Sequence, residues 1–211
     1  MGVWSDQVVP RLTDRALSAA AMDDPRAAVC AGLHGRVLEL GFGSGLNLRH
    51  LPAAVTALDA VEPADVAWEL SARRRARSRV PVHRGGLDGQ RLAADDESYD
   101  AVLVTFALCS IPDAAAALAE VRRVLRPGGT LHFLEHGLAP DPGVAAWQRR
   151  LDPAQQRLFA GCHLSRDVPA LVADAGLEVT DLDQRYLPGP RIGRPWSYGY
   201  LGRATRRREA A

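Results

Sequence analysis

Gly41, Gly43 and Gly45 alternate with Phe42 and Ser44 directly after the apolar run Val37-Leu38-Glu39-Leu40. Glycines in such a turn let the backbone approach a ligand closely, and free N–H groups there attract an anion. Glu62 closes a second apolar run, residues 54–61. A carboxylate at that place can accept from both hydroxyls of a ribose, and Asp59 inside the run is the competing acid. His136 follows a later apolar run with Glu135 beside it. An imidazole titrates near neutrality, which makes His136 the first candidate for a base or an acceptor contact. His163, in Gly161-Cys162-His163, is the second, whereas His132 lies within its run and reads as a core residue. Each candidate also has a plain structural reading: loop acid, helix cap, or ring bonded to nearby backbone. Cys30, Cys109 and Cys162 are odd in number and lack metal-ligand spacing, so no metal site is expected. Cys109 reads as a small apolar pocket or core residue, and Trp4, Phe106 and Trp147 are candidates for aromatic walls on which a cation can rest, their plain reading being core.

These residues need a buried strand feeding the glycine turn, then a helix with Leu46, Leu48 and Leu51 as its apolar positions. After the strand at 54–61 comes an amphipathic helix over 64–79, with Arg73, Arg74, Arg75 and Arg77 as a solvated face. Val80–His83 reads as a short strand near a sheet edge because of Pro81, followed by the loop 85–90 carrying Asp88 and Gly89. The continuous apolar run 101–106 predicts a central parallel strand, whose extension 107–112 lies where ligands bind in open α/β sheets. Asp113 is placed to cap a helix that runs to Arg126 and stops at Pro127-Gly128-Gly129, before a strand over 130–135. A helical region spans 141–161, and Ser165 is placed to cap a helix through Ala175. Strands over 177–186 and 197–202 follow without a helix between them, which predicts an antiparallel pair around a loop rich in proline and glycine. Residues 3–30 read as one or two helices not needed for the sheet, and so available to cover the ligand crevice. The last residues, 204–211, read as a frayed tail.

A chain of 211 residues with 47% hydrophobic content suits a single α/β domain. A net charge of +1 gives no electrostatic case for nucleic acid. All 26 basic residues are arginine, which fits a bacterial genome of high GC content. No apolar run is long enough to cross a membrane and the N-terminus has no secretory h-region, so a cytoplasmic protein with reduced thiols is expected.

The spacing Glu39-x-Gly41-x-Gly43-x-Gly45 is not the G-x-G-x-x-G of dinucleotide enzymes, since Leu46 stands where the third small residue belongs. It resembles motif I of the class I S-adenosylmethionine (SAM) methyltransferases. VLELGFGSG, VEP, SYDAVLVTFALCSIPD and EVRRVLRPGGTLHFLEH agree with that family in order and spacing. The resemblance implies a Rossmann-like α/β fold, with a seven-stranded, mostly parallel sheet and a reversed last strand. It also implies a helical cap over 1–30 and a core over 36–203. SAM would be the cofactor and S-adenosylhomocysteine (SAH) the product. Glu39, Gly41, Phe42, Gly43, Gly45 and Asn47 would lie under the methionine part, Glu62 and Pro63 at the ribose, and Asp88 and Gly89 at the adenine. Thr105, Phe106 and Ala107 would form a ledge beside the sulfonium. Phe42 stands where a smaller residue is common and is expected to narrow the turn.

LCS, EH and GCHLSRD resemble a narrower group, the methyltransferase-like thiol S-methyltransferases of animals and their bacterial relatives. The resemblance implies a small-molecule acceptor, with a thiol favoured over oxygen or nitrogen. Trp4, Cys109, His136, Trp147 and His163 are the residues expected around it. The animal members carry an N-terminal membrane-anchoring segment, so a soluble relative without an anchor is expected here. A SAM-binding protein that does not methylate and a dinucleotide-dependent oxidoreductase are the alternatives.

Overall fold

The computed structural model describes residues 4–187 and 190–208. Seven strands form one sheet in the order β3-β2-β1-β4-β5-β7-β6. They are β1 (Gly35–Leu40), β2 (Val55–Val61), β3 (Val82–Gly86), β4 (Tyr99–Thr105), β5 (Leu125–His136), β6 (Glu178–Tyr186) and β7 (Tyr198–Thr205). β1 through β5 pair in parallel, and β7 runs antiparallel to both β5 and β6. The sheet is therefore the expected Rossmann-like arrangement with a reversed last strand. β1 and β4 are almost wholly buried, which is why they read as unbroken apolar runs. The expected edge strand is indeed outermost, although it begins two residues later than Pro81 suggested and includes Gly85 and Gly86.

The helices are α1 (Val9–Leu17), α2 (Asp23–Cys30), α3 (Asp65–Leu70), α4 (Ala72–Ala76), α5 (Ala114–Val124), α6 (Pro142–Leu158), α7 (Val168–Asp174) and α8 (Arg194–Ser197). Leu118, Val121 and Val172 of α5 and α7 close one face of the sheet, and Val29 and Cys30 of α2 belong to the core on the other. Asp113 caps α5 as expected, accepting from Ala116 N at 2.9 Å.

Several local expectations are corrected. No α-helix follows the glycine turn: only a single 3-10 turn, Leu48–His50, separates it from Pro52. The single helix expected over 64–79 is split at Ser71 into α3 and α4. Asp167, not Ser165, caps α7, while the Ser165 hydroxyl donates to Asp152. The tail is shorter than expected, because Ala204 is buried in β7 and Arg206 N donates to Gly129 O at 2.9 Å. Residues 209–211 lie outside the described residues.

Candidate active site

The strand order reverses between β1 and β4, so their carboxyl ends open a crevice, the place where ligands bind in this architecture. The crevice has a volume of about 930 Å³. Its walls include Gly41 to Ser44, Glu62 and Pro63, Asp88 and Gly89, and Thr105 to Ala107. Segments separated by up to 66 positions in the chain thus meet as the motif spacing required. Gln7, Val9, Pro10, Thr13, Asp14 and Leu17 close it from the N-terminal side. That closure is fastened to the glycine turn: Ser44 Oγ donates to Asp14 Oδ1 at 2.5 Å, and Arg74 donates to Asp14 Oδ1 and Ser44 O, both at 3.0 Å.

The turn itself is a loop of left-handed glycines rather than a helix start. Gly41 has φ +74°, and a Cβ there would stand 2.2 Å from the Ala107 Cβ, so the close approach of β1 and β4 requires glycine. At Gly43, with φ +57°, a Cβ would meet no heavy atom nearer than Gly41 O at 4.0 Å. That space is the cradle in which a ligand can lie against bare backbone. The Phe42 ring is buried against Trp68 with centroids 5.5 Å apart, and it packs against the turn at Gly45, where a Cβ would stand 2.9 Å from its Cζ.

Beneath the turn lies a buried polar network. Arg26 Nη1 donates to Asn47 Oδ1 at 2.7 Å; Asn47 Nδ2 donates to Glu39 Oε1 at 2.7 Å and to Thr105 Oγ1 at 2.9 Å. Glu39 is 0% exposed, and burial pushes its carboxyl up to about 8. Glu39 Oε2 and Arg26 Nε, both buried, have no partner among the described residues. An orphaned acceptor and an orphaned donor under a bare-backbone cradle match the ammonium and carboxylate ends of an amino acid. Arg26 was missed in the sequence. Its signal was a charge at the apolar phase of α2, among Met22, Val29, Cys30 and Leu33, all buried with it.

Glu62 is also buried, and its carboxylate accepts from Gly43 N at 2.6 Å and Ala64 N at 2.8 Å. Burial nonetheless holds its pKa above the ordinary carboxylate range, against the pull of those two bonds. Arg84 fastens the loop by donating to Glu62 O at 2.7 and 3.1 Å. Asp59, the competing acid, is spent on structure: it accepts from Arg36 at 2.7 and 2.9 Å and from Tyr99 Oη at 2.9 Å. Asp88 stands exposed at the rim, its carboxylate held below its usual range by bonds from the side chain and backbone of Gln90.

At the other end of the crevice, β4 stops because Phe106 takes a left-handed φ of +53°, a strained state for an aromatic residue. Glu135 is fully buried, and its Oε1 accepts from Ala107 N at 2.7 Å and Leu108 N at 3.0 Å, so it serves that turn and not an acceptor. His136 stacks with Phe106 at 6.5 Å, and its Nε2 lies 3.2 Å from Cys162 Sγ. Burial alone would lower the His136 pKa, but Cys162 and the surrounding acids outweigh it and raise it. Cys109 is buried beside them, and His163 N donates to Cys109 O at 2.8 Å. The His163 ring bonds Gln156 Nε2 at 3.0 Å. His132 is the core residue expected, tied to Val29 O at 2.8 Å, with burial lowering its pKa to about 4.

The two tryptophans depart from expectation. Trp147 is 57% exposed, beside Arg150 and away from the crevice walls. Trp4 donates to Leu158 O at 2.7 Å, which pins the N-terminal segment to the end of α6, and it too is not a crevice wall.

Residues 38–133, which hold the glycine turn, Glu62 and both crevice strands, match the family model described as a methyltransferase domain. Over 167 residues the chain is 34% identical to the thiol S-methyltransferase TMT1B of Rattus norvegicus, covering 74% of this chain and 68% of that protein. The chain belongs to the SAM-dependent methyltransferases. It is also 32% identical over 169 residues to the phthiotriol/phenolphthiotriol dimycocerosates methyltransferase of Mycobacterium tuberculosis, covering 77% of this chain and 60% of that protein. A solved SAM-dependent methyltransferase from Mesorhizobium loti shares the fold with a TM-score of 0.65 at 18% identity, covering 90% of this chain and 100% of that one. SAM is accordingly the cofactor of this methyltransferase. No helix among the described residues is long and apolar enough to cross a membrane.

Proposed function

We propose that this single-domain methyltransferase transfers the methyl group of SAM to the sulfur of a small thiol. The observation that carries this reading is the cluster directly behind the crevice wall of Phe106, Ala107 and Ser110, where two thiols and an imidazole stand together and the nearby carboxylates are already committed, Glu135 to backbone N–H groups and Asp152 to Leu164 N and the Ser165 hydroxyl. An alcohol would need a positioned strong base to become a nucleophile. A thiol is already partly ionised near neutral pH and needs far less help. The name of the rat relative agrees in kind, whereas that of the mycobacterial relative points to a lipid acceptor, so the choice rests on the site's chemistry.

In this reading Glu39 Oε2 receives the ammonium of the methionine part and Arg26 its carboxylate, with Asn47 holding both side chains in register. Gly41, Gly43 and Gly45 leave the floor bare. Glu62 receives the ribose hydroxyls, which requires it to exchange its bond to Gly43 N. Asp88 and Gly89 border the adenine. SAM supplies the activated methyl carbon, so the chain's own work is to hold the acceptor in line and keep water out. Phe106 faces the sulfonium end, and α1 closes the crevice above it. His136 and the two cysteines meet the acceptor, with His163 further out.

The test is transfer of label from methyl-labelled SAM to a panel of thiols, phenols and amines. Labelled thioethers support the reading; label found only on oxygen or nitrogen acceptors refutes it.

A further inference from the structure

We infer that Cys109, His136 and Cys162 hold a zinc ion, whose remaining coordination position takes the sulfur of the acceptor; only this second half rests on the thiol reading above. The three ligand atoms all lie within 4.8 Å of one another, and His136 Nε2 is 3.2 Å from Cys162 Sγ. Tetrahedral zinc, with Zn–S about 2.3 Å and Zn–N about 2.0–2.1 Å, sets its ligands roughly 3.5–3.8 Å apart, so the cluster needs only small side-chain adjustments. Two sulfurs and an imidazole are the soft donor set that zinc favours over magnesium or calcium.

The cluster is held from behind. Glu135 fixes the Ala107–Leu108 turn, and Arg166 grips the carbonyls of Leu108, Ile111 and Pro112. Asp152 accepts from Leu164 N at 2.5 Å and from Ser165 Oγ, which fixes the turn that carries Cys162. The donors are committed mainly to one another: His136 Nε2 meets Cys162 Sγ, which Gln155 Nε2 touches only at 3.6 Å, and Cys109 meets Ser110 Oγ only at 3.5 Å. A pair of thiolates, a neutral imidazole and Zn²⁺ sum to zero charge, which suits a mostly buried place.

Among the described residues no fourth histidine, cysteine or carboxylate joins the group. Three protein ligands with an open position is the pattern of catalytic rather than structural zinc. The cluster lies behind the crevice wall, since Ser110, next to Cys109, and Ala160, two residues before Cys162, both line the crevice, and we place the open position on that side. An acceptor thiol bound there gives its proton to solvent. Its sulfur then forms a bond to the methyl carbon while the carbon–sulfur bond of SAM breaks, the electron pair going to the departing SAH. The balance is thiol plus SAM giving methyl thioether, SAH and one proton.

The chain is purified with zinc present, and its metal is counted by mass spectrometry after gel filtration, with SAH calorimetry as the measure of a correctly folded cofactor site. About one zinc per chain is expected, falling to background in Cys109→Ser and in Cys162→Ser while SAH binding persists. Replacement by Co²⁺ should give thiolate-to-metal absorption that shifts when 2-mercaptoethanol is added. SAH-binding protein that holds no more zinc than the cysteine variants, or that carries a Cys109–Cys162 disulfide in place of metal, overturns the site. Bound zinc with a Co²⁺ spectrum blind to the thiol overturns the acceptor position. A shifted spectrum without any methylated thiol would instead sink the acceptor reading and leave the metal site standing.

Discussion

Asn47→Ala is the sharpest test of the network beneath the glycine turn. Asn47 makes three side-chain bonds, to Arg26, Glu39 and Thr105, at 2.7, 2.7 and 2.9 Å, and every partner is buried. A buried group left without its partner costs about 1–3 kcal/mol, more when charged. The full sum is an upper bound, since Glu39 can hold its proton and water can enter the space left. A net loss of roughly 3–5 kcal/mol follows, and at about 2–4 °C per kcal/mol for a chain of this size the Tm should fall by roughly 6–20 °C. Scanning calorimetry measures the fall, and titration with SAH on the same protein should show weaker binding, since Arg26 and Glu39 lose their register. In the Asn47→Ala, Glu39→Gln double variant the second loss should be smaller than Glu39→Gln alone, because the pair shares one network. A Tm within about 2 °C of the parent, with unchanged SAH affinity, would refute the assignment.

Other outcomes follow from single contacts. Glu62→Ala should weaken SAH binding about 5–150-fold, the equivalent of 1–3 kcal/mol for hydrogen bonds in a buried site, while exposed Asp88→Ala should cost less; calorimetry separates them. Gly41→Ala should destabilise the fold, because its Cβ would collide with Ala107 at 2.2 Å, whereas Gly43→Ala should spare the fold better and block the cofactor. Burial raises Glu39 from the ordinary carboxylate range to about 8, so between those values the folded chain binds a proton that the unfolded chain has released. That contribution is complete at low pH and is lost as pH rises through about 8. Chemical denaturation from pH 5 to 9 should therefore show a downward slope that is shallower in Glu39→Gln, and equal slopes would contradict the raised pKa of the buried carboxyl.

The succession of strands and helices was legible because the central parallel strands are buried on both faces and read as apolar runs, and because Asp113 and Gly176 punctuate their helices. Glu62 was legible for a related reason, standing where such a run ends. The helix expected after Gly45 failed on length. Pro52 follows within seven residues, and Asn47 turns its side chain inward, leaving only a 3-10 turn. Trp147 misled because α6 inverts the usual pattern. Its inner face is polar, with Gln148 bonding Ala139 N and Gly137 O and Asp152 bonding Leu164 N, so the aromatic residues are left outside. Arg26 was hidden as a charge on a helix face that folding buries. Cys109, His136 and Cys162 lie 27 and 26 positions apart, a spacing that carries no metal signal until the turn after β4, the end of β5 and the loop between α6 and α7 bring them together.

The most direct measurement is a competition in one vessel: SAM, the purified chain and equal concentrations of a small thiol, a phenol and an amine, followed by mass spectrometry. The expected result is a methyl thioether formed fastest, with SAH appearing in equal amount. Methylated phenol or amine accumulating while the thiol is untouched would contradict thiol transfer by this site.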